Sequence, residues 1–146
     1  MTVLFSRQCE HAIQAVIYLA LKPAGEMTSA KELTKRLKVP YHFIGKILQD
    51  LTRKKLLVSL KGPTGGFGLA LAPDKITLFQ IVEAIDGVGL THSCALGFTE
   101  CSDDHPCSVH DTWKDLREGV HQMLANRNIA ELAKGMKQPG YSNARR

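Results

Sequence analysis

Cys94, Cys101, Cys107 and His110 fall within 17 residues, spaced C-x6-C-x5-C-x2-H. Thiolates and imidazole are soft to borderline donors that suit iron–sulfur clusters and zinc. The intervening residues are mostly polar and include Gly97 and Pro106, so the stretch reads as a loop and poor core material. Three chemistries compete for these side chains. An iron–sulfur cluster takes four ligands, commonly thiolates and sometimes His. Structural zinc prefers closely spaced cysteine pairs, and gaps of 6 and 5 residues fit it poorly. The third is thiols without metal, either free or acting as a redox switch. His110 follows Cys107 at i, i+3, so both can face one site at the start of a helix. His105, just before Pro106, reads as exposed. Cys9 stands apart, in a helical pattern, as a small buried hydrophobe. Its neighbour Glu10 is by default a solvated carboxylate, on a helix able to pack against the loop of a partner subunit.

These ligands need elements on either side to hold them. A long helix starts near Ser108, with Val109, Trp113, Leu116, Val120 and Met123 spaced 4, 3, 4, 3. That is a coiled-coil-like seam flanked by polar residues, and it predicts a second subunit. Residues 130–134 suggest one more short helix. Before the loop, 77–85 is helical, with Thr77 or a neighbour as cap.

Further upstream, Ile13, Val16, Ile17 and Ala20 mark an amphipathic helix over 6–21, stopped by Pro23 and Gly25. Ser29-Ala30-Lys31-Glu32 reads as a capping box opening a second helix to Leu37. Lys38-Val39-Pro40 is a short turn, with Pro40 suited to the first position of a third helix. Ile44, Ile47, Leu48 and Leu51 form that helix's buried stripe. Tyr41, His42, Gly45, Lys46, Gln49 and Arg53 lie on its other face. Gly45 is costly inside a helix, and either close backbone approach or packing against helix 2 would explain it. Strands over 56–60 and 67–71 flank Lys61-Gly62-Pro63-Thr64-Gly65-Gly66, a turn rich in Gly and Pro.

Helix, helix, three-residue turn, helix, strand, Gly-rich turn, strand is the order of a winged helix-turn-helix, whose third helix enters the major groove. The net charge is +5 and unevenly spread. Residues 1–80 hold 12 Lys and Arg against 5 acids, whereas 81–146 hold 7 against 9. The basic half suits a polyanion. Ser29, Tyr41, His42 and Lys46 on the helix-turn-helix, and Lys61, Gly62, Thr64 and Gly65 on the hairpin tip, are the candidate DNA contacts. Arg36, Lys38 and Lys75 read as solvated surface charge.

Several stretches together resemble the IscR/NsrR family of winged-helix transcription regulators. They are Ala12 to Ala20, Val39-Pro40-Tyr41-His42-Phe43-Ile44, the wing Lys61 to Phe67, Ile81-Val82-Glu83-Ala84-Ile85-Asp86-Gly87, the three-cysteine loop, His110 and Trp113. The resemblance implies a homodimer on a double-stranded DNA operator, with cluster state controlling DNA binding. It further implies a cluster in the loop, either [2Fe-2S] with a His placed like His110 or a nitric-oxide-sensitive [4Fe-4S] with a carboxylate placed like Glu10 of the other subunit. This chain carries both candidates. Its first gap has 6 residues where IscR-like proteins usually have 5, and Lys61 stands where they have Arg.

The expected fold is thus mainly α with a small β-hairpin wing: a winged helix-turn-helix plus a long C-terminal dimerisation helix. The expected division is 1–87 for DNA binding, 88–107 for the sensor loop, 108–137 for the dimerisation helix and C-terminal helical segment, and 138–146 for a flexible tail. The expected protein is a cytoplasmic regulator, acting as a repressor, with no membrane span and no small-molecule substrate. An enzyme or electron carrier is disfavoured, because no Cys-x-x-Cys pair or substrate pocket shows and the basic half would be unexplained.

Overall fold

The computed structural model describes residues 4–136, so the tail expected over 138–146 lies outside the described residues. Helix α1 spans Arg7–Ala20 and is capped by Ser6, whose hydroxyl accepts from the Cys9 N–H at 3.0 Å. It is the hub of the chain, touching α2 (Ala30–Leu37), α3 (Tyr41–Arg53), α4 (Leu78–Asp86) and α7 (Ile129–Met136). Its buried face is correspondingly wider than one stripe, with Cys9, Ala12, Ala15, Val16, Ile17 and Leu19 all buried.

Ser29 caps α2 by accepting from the Glu32 N–H at 3.1 Å. The expected capping box is only half formed there. Glu32 turns instead to the Lys22 ammonium at 2.7 Å and to the Tyr18 hydroxyl. The complete box is at α4, where Thr77 and Gln80 bond reciprocally. Lys38 adopts the left-handed conformation and turns the chain into α3 (φ 58°, ψ 43°). Pro40 is extended and occupies the N-cap, so Tyr41 rather than Pro40 opens the helix.

The strands differ slightly from the pattern: β1 is Leu57–Leu60, starting one residue later, and β2 is Gly66–Leu69, starting one residue earlier and ending two earlier, paired antiparallel with Leu57 opposite Leu69. Thr28 adds a bridge to Phe67 through two backbone bonds of 2.8 and 2.7 Å, tying the start of α2 to the wing. Two positions at the tip require glycine. A Cβ on Gly65 would sit 2.1 Å from the Leu60 carbonyl oxygen, and one on Gly66 would sit 2.4 Å from that of Thr28.

Two cores hold the elements. The larger runs through α1, α2, α3, β1, α4 and α7, with the expected stripe Ile44, Ile47, Leu48 and Leu51 fully inside it. The smaller joins Cys9, Val82 and Leu124 with Phe5, Ile13, Leu78, Phe79, Ile85, Leu90 and Val120. It therefore links α1 and α4 to a short helix α5 (Gly89–His92) and to α6 (His110–Ala125). The long helix begins at His110, two residues later than the sequence suggested. The expected seam divides along it. Val120 packs into the second core and Trp113 is half-buried, while Val109, Leu116 and Met123 stay exposed. Helix α7 is longer than expected and returns to α1, with its start bridged to the start of α4 by Leu78 N–H to Arg127 at 2.9 Å.

Candidate metal centre and nucleic-acid interface

The cysteine loop is anchored at both ends to α6. At its entrance, the Trp113 indole N–H donates to the Ser93 carbonyl at 2.7 Å, and Arg117 donates to the His92 and Ser93 carbonyls at 3.1 and 3.2 Å. At its exit, Cys107 accepts from the His110 N–H at 3.1 Å in the first turn of the helix. These bonds fix Cys94 and Cys107, 13 positions apart, side by side.

Among the described residues, Cys94, Cys101 and Cys107 bring their sulfurs within 4.8 Å of one another, each half-buried. Cys94 Sγ and Cys107 Sγ are 3.7 Å apart. A disulfide needs about 2.05 Å. Two thiolates on one tetrahedral centre with bonds of about 2.3 Å lie roughly 3.8 Å apart, so the spacing suits shared coordination. Desolvation pushes the Cys94 thiol up, but N–H donation from Phe98 and Leu96, with the two neighbouring thiols, outweighs it and holds Cys94 at about 7. At Cys101 donation from the Cys107 backbone lowers the value, yet desolvation and the sulfurs of Cys107 and Cys94 push it up on balance.

His110 is 8% exposed and partnered at both ring nitrogens: Nδ1 lies 3.2 Å from Cys101 Sγ and Nε2 lies 2.9 Å from Asp103 Oδ1. Lys114 in turn holds both Asp103 oxygens at 3.0 and 3.1 Å. The bonds from His110 and Lys114 keep the Asp103 carboxyl below its ordinary range. A cavity of about 260 Å³ opens here, with Cys94, Cys101, His110, Lys114 and Arg117 on its walls. The donor set, the separations and the two flanking cations fit an iron–sulfur cluster or a single soft metal. Neither His110, whose ring meets Cys101 alone of the three sulfurs, nor Glu10, half-buried on α1, belongs to the three-sulfur group. Cys9 is fully buried, and desolvation first, with Asp86 next, pushes its thiol up to about 12. It is a core residue, as read from the sequence.

The opposite end of the chain presents the basic face. Tyr41, His42 and Lys46 are all exposed on α3, and His42 stacks against Phe43 with ring centroids 4.1 Å apart. A Cβ on Gly45 would meet nothing within 4 Å, which removes packing against α2 as its explanation and leaves that face open. Lys61, Gly62 and Thr64 are exposed at the hairpin tip, closed by Gly65 N–H to the Gly62 carbonyl at 3.0 Å. Ser29 is exposed beside its cap bond. Two features escaped the sequence reading. Arg7 joins Lys38 and Lys46 around a groove of about 660 Å³ with Val39 and Phe43 in its walls, so Lys38 belongs to this face. Val58 and Leu60 stand exposed on the wing. The alternating-strand signal was too short to show which way they point.

Two helices joined by a short turn through the left-handed Lys38, an exposed basic helix and a Gly-rich wing define a winged helix-turn-helix DNA-binding protein. The profile of the Rrf2 family, described as an iron-dependent transcriptional regulator, matches residues 5–135. The chain belongs to this family and is a DNA-binding transcriptional regulator. It is 33% identical over 132 residues to a putative HTH-type transcriptional regulator of Aquifex aeolicus, covering 89% of this chain and 91% of the relative. It is 25% identical to the transcriptional regulator IscR of Aliivibrio salmonicida, covering 84% of this chain and 72% of that protein. Among solved structures it resembles CymR, the global cysteine regulator of B. subtilis, with TM-score 0.76, 22% identity, and coverage of 92% and 98%. It also resembles IscR of T. potens, with TM-score 0.75, 18% identity, and coverage of 97% and 93%. Both likenesses bear on fold. Among the described residues no helix is long and apolar enough to cross a membrane.

Proposed function

We propose that the chain is a homodimeric repressor whose hold on a double-stranded operator follows the state of an iron–sulfur cluster, [2Fe-2S] or [4Fe-4S]. Cys94, Cys101 and Cys107 would hold it, with His110 as fourth ligand and Glu10 of the other subunit as the competing one. The observation that carries this reading is the convergence of three sulfurs within 4.8 Å beside His110 at the head of α6. When bound, such a cluster supplies a centre that exchanges electrons and reacts with oxidants and nitric oxide.

The protein's own part is transmission. With its sulfurs gathered, the loop holds the first turn of α6 at Cys107 and His110 and the end of α5 through Trp113 and Arg117. Helix α6 then presses Leu124 and Val120 into the core it shares with α4 and α1, and both of those pack on α3. A loosened loop frees the head of α6. That shifts the exposed row Val109, Leu116 and Met123, on which we place the second subunit. Because half-site spacing is strict, a small change in subunit geometry moves two recognition helices out of register. Tyr41, His42 and Lys46 would read the groove, with Lys61, Gly62, Thr64, Gly65 and Ser29 at the backbone.

A second reading is a metal-free thiol switch. Cys94 Sγ and Cys107 Sγ at 3.7 Å would need to close to about 2.05 Å to form a disulfide. A peroxide would take the two electrons and two protons and leave as water. Anaerobic purification with iron, sulfide and zinc analysis separates the readings. A brown protein with stoichiometric iron and sulfide supports the cluster. A colourless protein whose Cys94 and Cys107 pair on peroxide treatment supports the switch.

A further inference from the structure

We infer that Asp103, itself held by Lys114, is the residue that positions His110, fixing its ring so that Nδ1 faces the Cys101 sulfur. The inference rests on the reading of the loop as a cluster site and names what selects the fourth ligand. A neutral imidazole carries one N–H and one lone pair, and the partner of one nitrogen decides the other. An ionised carboxylate only accepts. Asp103 Oδ1 at 2.9 Å therefore requires the proton on Nε2 and leaves the Nδ1 lone pair directed at Cys101 Sγ, 3.2 Å away. In the metal-free chain the Cys101 thiol donates to that lone pair. A bound centre could take that lone pair as a ligand.

Each member of the clamp is placed by a separate piece of chain. Asp103 follows Cys101 by two positions, in a turn closed by Ser102 N–H to the His105 carbonyl at 3.3 Å and His105 N–H to Ser102 Oγ at 3.1 Å. Lys114 lies four residues after His110 on the same face of α6 and grips both Asp103 oxygens. The Asp103 side chain is 70% exposed, so without Lys114 water would compete for it. His110 is almost sealed, so its ring has little room to reorient. Carboxylates of this kind behind a ligating His are typically worth 10- to 100-fold in metal affinity. The clamp thus holds His110 in place as a fourth ligand, whereas the competing Glu10 would come from the other subunit.

The test uses full-length protein with ¹⁵N-labelled histidine. In metal-free protein at pH 8, long-range ¹H–¹⁵N spectra should show His110 as the Nε2–H tautomer. Asp103→Ala should mix the tautomers, and Lys114→Met should do so less. After reconstitution with iron and sulfide, Asp103→Ala and His110→Ala should release iron to a chelator 10- to 100-fold faster than wild type, while Glu10→Ala should not. An unchanged tautomer in Asp103→Ala overturns the proposal. So does faster release in Glu10→Ala with wild-type release in Asp103→Ala. Asp103→Glu, restoring the carboxylate, should recover part of both signals. Failure of wild type to take up iron would sink the cluster reading alone, since the tautomer measurement still decides whether Asp103 positions His110.

Discussion

Leu116→Ala should weaken the dimer far more than it weakens the fold. Leu116 is 60% exposed on α6, on the same row as Val109 at 39% and Met123 at 44%. Fully burying a Leu side chain stabilises by roughly 1.5–3 kcal/mol, so covering the exposed 60% against a partner is worth about 0.9–1.8 kcal/mol per copy. A symmetric dimer loses it twice, about 1.8–3.6 kcal/mol, which raises the dissociation constant roughly 20- to 400-fold. Sedimentation across a dilution series reads this directly. Leu124→Ala is the contrast. Leu124 is fully buried in the core shared by α1, α4 and α6, and a Leu-to-Ala cavity there costs about 2–5 kcal/mol. It should lower the urea midpoint at every protein concentration. If Leu116→Ala leaves self-association unchanged, the exposed row is not the subunit contact, and the proposed route from loop to recognition helices fails.

Two further outcomes follow from the site and its surroundings. Lys22 first and Tyr18 next hold the Glu32 carboxyl below its ordinary value. A carboxylate depressed on folding stabilises above its unfolded value and loses that contribution as pH falls through the folded one. Wild-type melting temperature should therefore drop more steeply than that of Glu32→Gln between pH 5 and pH 3 (roughly the carboxylate range), by a small margin because Glu32 is partly exposed. Equal slopes would deny the ion pair a role. Lys61→Ala should weaken operator binding across sequences and flatten its salt dependence by about 0.9 per phosphate lost, hence about 1.8 for a dimer. An unchanged slope in filter binding from low to high salt would remove Lys61 from the backbone contacts.

The DNA-reading half was legible because its signals are local. The stripe Ile44, Ile47, Leu48 and Leu51 has helical period, and the Gly-Pro turn falls where the wing closes. Misreadings arose where a distant partner overrides a local pattern. Ser29 and Glu32 have the spacing of a capping box, but Tyr18 on α1 and Lys22 just after it claim Glu32. Pro40 has the chemistry of a first helical residue, yet the left-handed Lys38 sets the turn so that it becomes the cap. The seam on α6 has one period and two destinies, because the second core takes Val120 and the Ser93 carbonyl holds Trp113, while Leu116 and Met123 stay exposed. The candidate ligands were readable as residue types. The roles of Asp103, Lys114 and Arg117 were not, because charged residues near a loop look solvated until the fold folds them back over it.

If the cysteine site governs DNA binding, its state must show in operator affinity. The most direct test is operator affinity by fluorescence anisotropy, on a sequence selected from random DNA, for wild type reconstituted with iron and sulfide, the same protein stripped by a chelator, and Cys101→Ser. Coupling between two sites typically amounts to 5- to 150-fold. Loaded and stripped wild type should differ within that range, and Cys101→Ser should show a single affinity whatever its treatment. Identical affinities for loaded and stripped wild type would contradict control by the cysteine site.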